Sequence, residues 1–220
     1  SLTQNTGKVP QSEEDPDNPY ISMFGNTDMS TYPDVLLWRE YSKGLGVVNN
    51  VEVGIQHGNN GVGLTRSMVE SFVMKDGKPH YASHTGFVYD DETLAKIREN
   101  ADPRLHIFLK EPDQKNLFKN MTSQETHGVE VEPYPDITNM NAEKGYSTGY
   151  TIRKGGTFDK DLCGNGNGYT GAVVFRATEA LLNYMAAQYL LTRDVNSGKI
   201  MEYWKLIREA AGFEGTAVNP

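Results

Sequence analysis

Three stretches of this 220-residue sequence hold residue types that could do chemistry. The first runs Gly58-Asn59-Asn60-Gly61-Val62-Gly63-Leu64-Thr65 and has the glycine spacing of a phosphate loop, G-x-x-x-x-G-K-[ST], with Leu64 where the lysine should stand. Without that charge a phosphate would be held weakly, so a tight turn into a helix capped by Thr65 is the better reading. The second is "HYASH". His80 and His84 are the only i, i+4 pair among the five histidines, but the glutamate of H-E-x-x-H is missing and Pro79 precedes them in a loop. The third, "DKDLCGNGNGYTG", begins D-x-D with Asp159 and Asp161, which could ligate calcium; Cys163 then takes the fifth position, and no glutamate stands at the twelfth.

Acid pairs such as Glu130 and Glu132 cannot be told from solvated carboxylates by spacing, because a glycosidase needs its two carboxyls set across a cleft. No G-x-S-x-G elbow occurs, and Cys163 has no activating base in view. These features make a weak case for catalysis and point to no cofactor, calcium aside.

The aromatics say more. Twelve Tyr, eight Phe and two Trp are present, many in loop-like segments, including Tyr20, Phe24, Tyr81, Tyr134, Tyr146 and Tyr150. Exposed rings beside amides and carboxylates suit a sugar, since the ring face packs on C–H groups while the polar groups bond hydroxyls. Any single ring could equally pin its loop to the body, which is the commoner role.

The surrounding composition narrows the partners. With 29 acidic against 21 basic residues the net charge is −8, which argues against a nucleic-acid or anionic-membrane surface. No apolar run approaches the ~20 residues of a membrane span, and "SLTQNTGKVP" has no signal-peptide character. One cysteine leaves no internal disulfide.

The elements that must position these residues fall into three regions. Residues 1–34 form an irregular lead-in without sustained periodicity, residues 35–172 a loop-rich region with short strands and helices, and residues 173–212 a helical hairpin. "VLLWREY" (35–41) reads as a strand, and "VEVGIQ" as a second, with Val51, Val53 and Ile55 on one face. "TRSMVESFVM" and "DDETLAKIREN" read as short helices, and the chain after Pro103 as an extended strand. From 111 to 148 a polar, aperiodic connection is expected. "GAVVFRATEALLNYMAAQYLLT" and "GKIMEYWKLIREAAG", joined by "RDVNSG", predict two antiparallel helices with Gly212 at C′.

Several of these segments together resemble the SusD/RagB family. "YPDVLLWREYS", "GLTRSMVESFVMKDGKP", "ENADPRL", "STGYTIRK", "VVFRATEALLNYMAA" and "IREAAG" follow the family's motifs in the family's order, from about residue 32 to 212. Thr178 and Met185 replace common alanines, Ala101 stands where Arg is usual, and Ala210 replaces an Arg.

The resemblance implies a mostly α or α+β, SusD-like fold, a tetratricopeptide-like hairpin joined to a loop-rich region with small β elements. It implies a non-enzymatic, surface-exposed outer-membrane lipoprotein of Bacteroidetes polysaccharide utilisation, which binds glycan and delivers it to a SusC-like TonB-dependent transporter. The N-terminal helical region and the lipid anchor of such proteins would lie outside this chain. No binding residue carries over by motif; His80, Tyr81 and His84 after the D-G-x-P turn are nominated, with Tyr134 and Tyr146 next. A glycoside hydrolase or other glycan-active enzyme, and a helical-repeat interaction scaffold, are the alternatives.

Overall fold

The computed structural model describes residues 1–15, 18–57, 63–82, 92–119, 126–138 and 148–219. The lead-in is woven into the core. Asn18 accepts a hydrogen bond from the Tyr20 amide and Pro19 takes the first helical position, so a single turn forms, α1 (Pro19–Ser22). Tyr20 and Ile21 from that turn are buried against Ile107 and Phe108. Leu2, Met23 and Met29 are buried as well. Asn5 joins the two ends of the chain: its amide donates to the Ala210 carbonyl at 2.9 Å, and its side chain to the Ala211 carbonyl at 2.9 Å.

The expected strand at 35–41 is present as β1 (Val35–Arg39). Its partner is β4 (Ala172–Arg176), antiparallel, with Val35 opposite Arg176 and Arg39 opposite Ala172. Phe175 therefore belongs to a strand, where helical spacing had placed it on a helix face. Asp34, fully buried, locks this junction: it accepts from Arg176 Nε at 3.0 Å and Nη2 at 2.6 Å, and from the Thr178 amide at 3.2 Å. Thr178 also donates its hydroxyl to Asp34 at 3.3 Å, a bond that the alanine common in the family could not make.

The strand expected at "VEVGIQ" is instead α2 (Val51–His57). Its alternation misleads because the buried residues are the neighbours Glu52 and Val53, while Val51 is 43% exposed. The helix is fixed by polar contacts that periodicity does not weigh. Asn49 Oδ1 accepts from the Val51 amide, and Glu52, buried, accepts from the Thr157 amide at 3.1 Å. α3 (Arg66–Ser71) starts where expected, with Thr65 Oγ1 accepting from the Met68 amide. It stops at Phe72, before the "KDGKP" turn. α4 (Leu94–Asn100) is capped by Thr93, and Ile97 faces the core.

The segment after Pro103 is also helical, α5 (Pro103–Phe108). Asp102 accepts from the Arg104 amide at 2.8 Å and Pro103 sits in the first turn, so the Asp-Pro pair initiates a helix rather than breaking one. Leu105, Ile107 and Phe108 are then buried. The polar connection contains a hairpin, β2 (Lys115–Lys119) against β3 (Thr126–Val131). This pair escaped notice because its buried positions include Asn116, and Glu132 follows it, so no apolar alternation marks it.

The C-terminal hairpin is as expected: α6 (Ala177–Thr192) packs on α7 (Ile200–Ala210), with Tyr184 and Tyr203 edge to face at 5.2 Å. Gly212, at φ 97°, ends α7. The body is mostly helical, with few small strands. No helix among the described residues is long and apolar enough to cross a membrane.

Candidate functional site: an aromatic cleft

The glycine stretch resolves into scaffold. Gly58 and Gly61 lie outside the described residues. A Cβ on Gly63 would lie 2.5 Å from Thr148 Oγ1 and 3.2 Å from the Tyr150 carbonyl, so glycine is needed for the close approach of segment 148–150. The Leu64 amide donates to the Tyr150 carbonyl at 2.8 Å, and the Leu64 side chain packs on the cluster of Val69, Ile97, Ala101, Leu105 and Leu109. Leu64 is thus an apolar anchor where a phosphate loop would need lysine.

That anchoring also places Tyr150, which packs against the same cluster and presents itself to a cleft of about 520 Å³. The cleft is also lined by Tyr134, 79% exposed, between Pro133 and Pro135 in the extended segment that follows β3. Thr93, Glu92, Glu111 and Asp113 supply its polar wall. Glu111 is oriented by an ion pair with Arg98, a residue only 3% exposed whose Nε donates to the His106 carbonyl at 2.8 Å. Burial, with Arg153 nearby, pulls the Arg98 pKa down to about 10. Asp113 sits at φ 74°, and its amide donates to the Glu132 carbonyl at 3.0 Å, which holds the turn against the end of β3. The chemistry available is ring faces for stacking, carboxylates that accept hydrogen bonds, and the hydroxyls of Thr93, Tyr134 and Tyr150, which can donate or accept.

Of the other nominated residues, His80 and Tyr81 are exposed and stack edge to face at 5.7 Å, but neither lines this cleft. His84 and Tyr146 lie outside the described residues. Tyr20 and Phe24, also read as sugar-binding candidates, are core anchors; they pack on Phe108 with ring centroids 6.0 and 5.9 Å away. Asp159 is engaged in its own turn, where Oδ1 accepts from the Asp161 amide at 2.9 Å and its carbonyl accepts from the buried Cys163 thiol. Among the described residues no group of three His, Cys, Asp or Glu is placed to hold a metal.

Two other hollows mix polar and apolar lining. One of about 440 Å³ is lined by Phe158, Asn26, Asn116 and Arg153. The other, about 810 Å³, lies between the lead-in, α4, α5 and the C-terminal residues. Neither offers a tyrosine ring. Sequence reasoning missed Glu111 and Asp113, which lie in what read as a featureless polar connection; the Pro112-Asp113 step, a turn signal, was the available clue.

A sequence profile of the SusD family matches residues 14–219, nearly the whole chain. The chain belongs to the SusD family. The six SusD motifs turn out to be joints of the scaffold. Arg176 of the fifth meets Asp34 of the first, and Arg208 of the last donates to the Gly77 carbonyl of the second at 2.7 Å. A SusD-like protein from Bacteroides fragilis has a similar structure, with a TM-score of 0.56 and 20% sequence identity over 92% of this chain. The chain covers 39% of that protein. No curated protein matches.

Proposed function

We propose that this chain is part of a non-enzymatic, surface-exposed glycan-binding protein of the outer membrane, which captures oligosaccharide for uptake through a SusC-like TonB-dependent transporter. Membership of the SusD family supports the capture of glycan. The observation that carries the reading to particular residues is Tyr134, a large ring left 79% exposed at a cleft walled by carboxylates. A ring this exposed contributes little to the fold, whereas packed on a sugar it gains area and aligns hydroxyls with Glu111 and Asp113.

Affinity gel electrophoresis against a panel of plant and microbial polysaccharides tests this. At least one polysaccharide should retard the protein, and Tyr134→Ala should weaken that retardation about tenfold, the loss of one stacking contact. Tyr81→Ala, made in parallel, distinguishes the two exposed tyrosines: loss on Tyr81→Ala alone moves the site to the His80 loop. Release of reducing ends from a bound polysaccharide would instead favour a glycan-active enzyme and overturn the receptor reading.

A further inference from the structure

Resting on the glycan reading, we infer that the Tyr134 cleft selects neutral glycans and excludes those bearing uronate or sulfate groups. Its described walls carry three carboxylates, Glu92, Glu111 and Asp113, and no lysine or arginine side chain. Two described cations that neighbour the lining residues in the chain or by ion pair are engaged. Lys96 pairs with Glu92 one turn away, and Arg98 pairs with Glu111 while clamped on the His106 carbonyl.

Arg98 is moreover 3% exposed, so a ligand cannot reach its guanidinium without displacing Glu111. A protein that recognises uronate or sulfate needs a donor fork or an ammonium facing the ligand; here the Arg98 fork is buried and the exposed Lys96 ammonium is held by Glu92.

Carboxylates only accept, and the hydroxyls of a neutral sugar are donors that match them. An ionised substituent would meet like charge at the exposed Asp113 rim, an interaction that salt should screen. Asp113 is the residue through which this acts most directly. It is exposed at the rim, has no salt bridge of its own among the described residues, and is held in its turn by the Glu132 carbonyl. Glu111, its charge balanced by Arg98, adds acceptor oxygens at a fixed position. The cleft therefore discriminates by charge and by hydrogen-bond direction together.

Retardation of the 220-residue chain is compared in gels containing galactomannan or xyloglucan, polygalacturonate, and chondroitin sulfate, at 20 and 200 mM salt. Neutral polysaccharide should be bound at least tenfold more tightly than either polyanion, with little dependence on salt. Asp113→Lys should narrow that ratio by at least fivefold.

Glu202→Lys, at an exposed residue of α7 that does not line the cleft, changes net charge equally and serves as the control. If it narrows the ratio as much as Asp113→Lys, the overall charge of −8 and not the cleft is responsible, and the inference fails. Tighter binding of a polyanion by the unmodified chain overturns the selectivity while leaving glycan binding intact. Retardation by none of the polysaccharides overturns both.

Discussion

Lys110 shows how costly single residues are in this fold. Its ammonium is 1% exposed, 3.4 Å from Glu132, whose other carboxylate oxygen accepts from Asn116 at 2.7 Å. Lys110→Met leaves Glu132 as a buried charge with one donor, and is expected to cost about 3–5 kcal/mol in urea unfolding; Lys110→Met with Glu132→Gln should recover most of that. Burial lowers the Lys110 pKa below its usual 10.5, with Glu132 opposing. The unfolded chain therefore holds that proton more tightly, so native stability gains as pH rises through the window just below 10.5. Lys110→Met should lack that rising slope, which unfolding curves taken at a series of pH values would show. Tyr134 belongs to the opposite class, exposed and without structural duty, so its substitution should leave the unfolding midpoint unchanged while it weakens glycan binding.

Among the elements, short helices started by specific caps recur. Thr65, Thr93 and Asp102 each accept from the first-turn amides of α3, α4 and α5, helices of six or seven residues that would not hold alone in water. α2 is held differently, through close backbone contact between its lead-in at Asn49 and the glycine-asparagine loop. The Asn49 amide donates to the Gly168 carbonyl at 2.7 Å, and a Cβ on Gly168 would lie 2.7 Å from the Asn49 carbonyl oxygen. Gly168→Ala must push two backbones apart and should destabilise the protein by about 1–3 kcal/mol, measured as a lower thermal midpoint. The same loop, which resembled half a calcium site, is in this respect a structural clasp.

At the scale of the whole molecule, the N-terminal residues close the structure. Leu2 is buried, Asn5 bonds both Ala210 and Ala211, and Arg153 Nη2 donates to the Pro10 carbonyl as well as to Lys115. Deleting residues 1–10 should lower stability by about 3–6 kcal/mol, from one leucine at about 1.5–3 and several hydrogen bonds at about 0.5–1.5 each. A broadened, earlier thermal transition would be the sign; an unchanged one would show that the lead-in merely lies on the surface. α6 packs on α7 but leaves much of its surface uncovered. It is apolar around most of its circumference, yet only Met185 is buried, and Leu182, Leu190 and Leu191 are 46, 61 and 82% exposed.

Local signals in the sequence were enough for the capped helices α3 and α4, the hairpin of α6 and α7, β1 and the family, because caps, helical spacing and ordered motifs act over a few residues. They failed for α2, α5 and the β2–β3 hairpin. For α2 and the hairpin the deciding groups are buried polar residues, Glu52, Asn116 and Glu132, whose partners lie in other segments or the other strand. For α5 the local Asp102-Pro103 cap was present, but the apolar run after it read as a strand. The candidate site shows the same division. Tyr134 could be nominated from its type and its polar surroundings, but whether a tyrosine anchors or binds depends on which rings the fold covers. Tyr20 went into the core, while Tyr134 was left standing beside Tyr150, Glu111 and Asp113. The sequence by itself determined the family and the residue types available to a sugar; only tertiary packing decided which of them share a cleft, because burial is a property of the assembled chain.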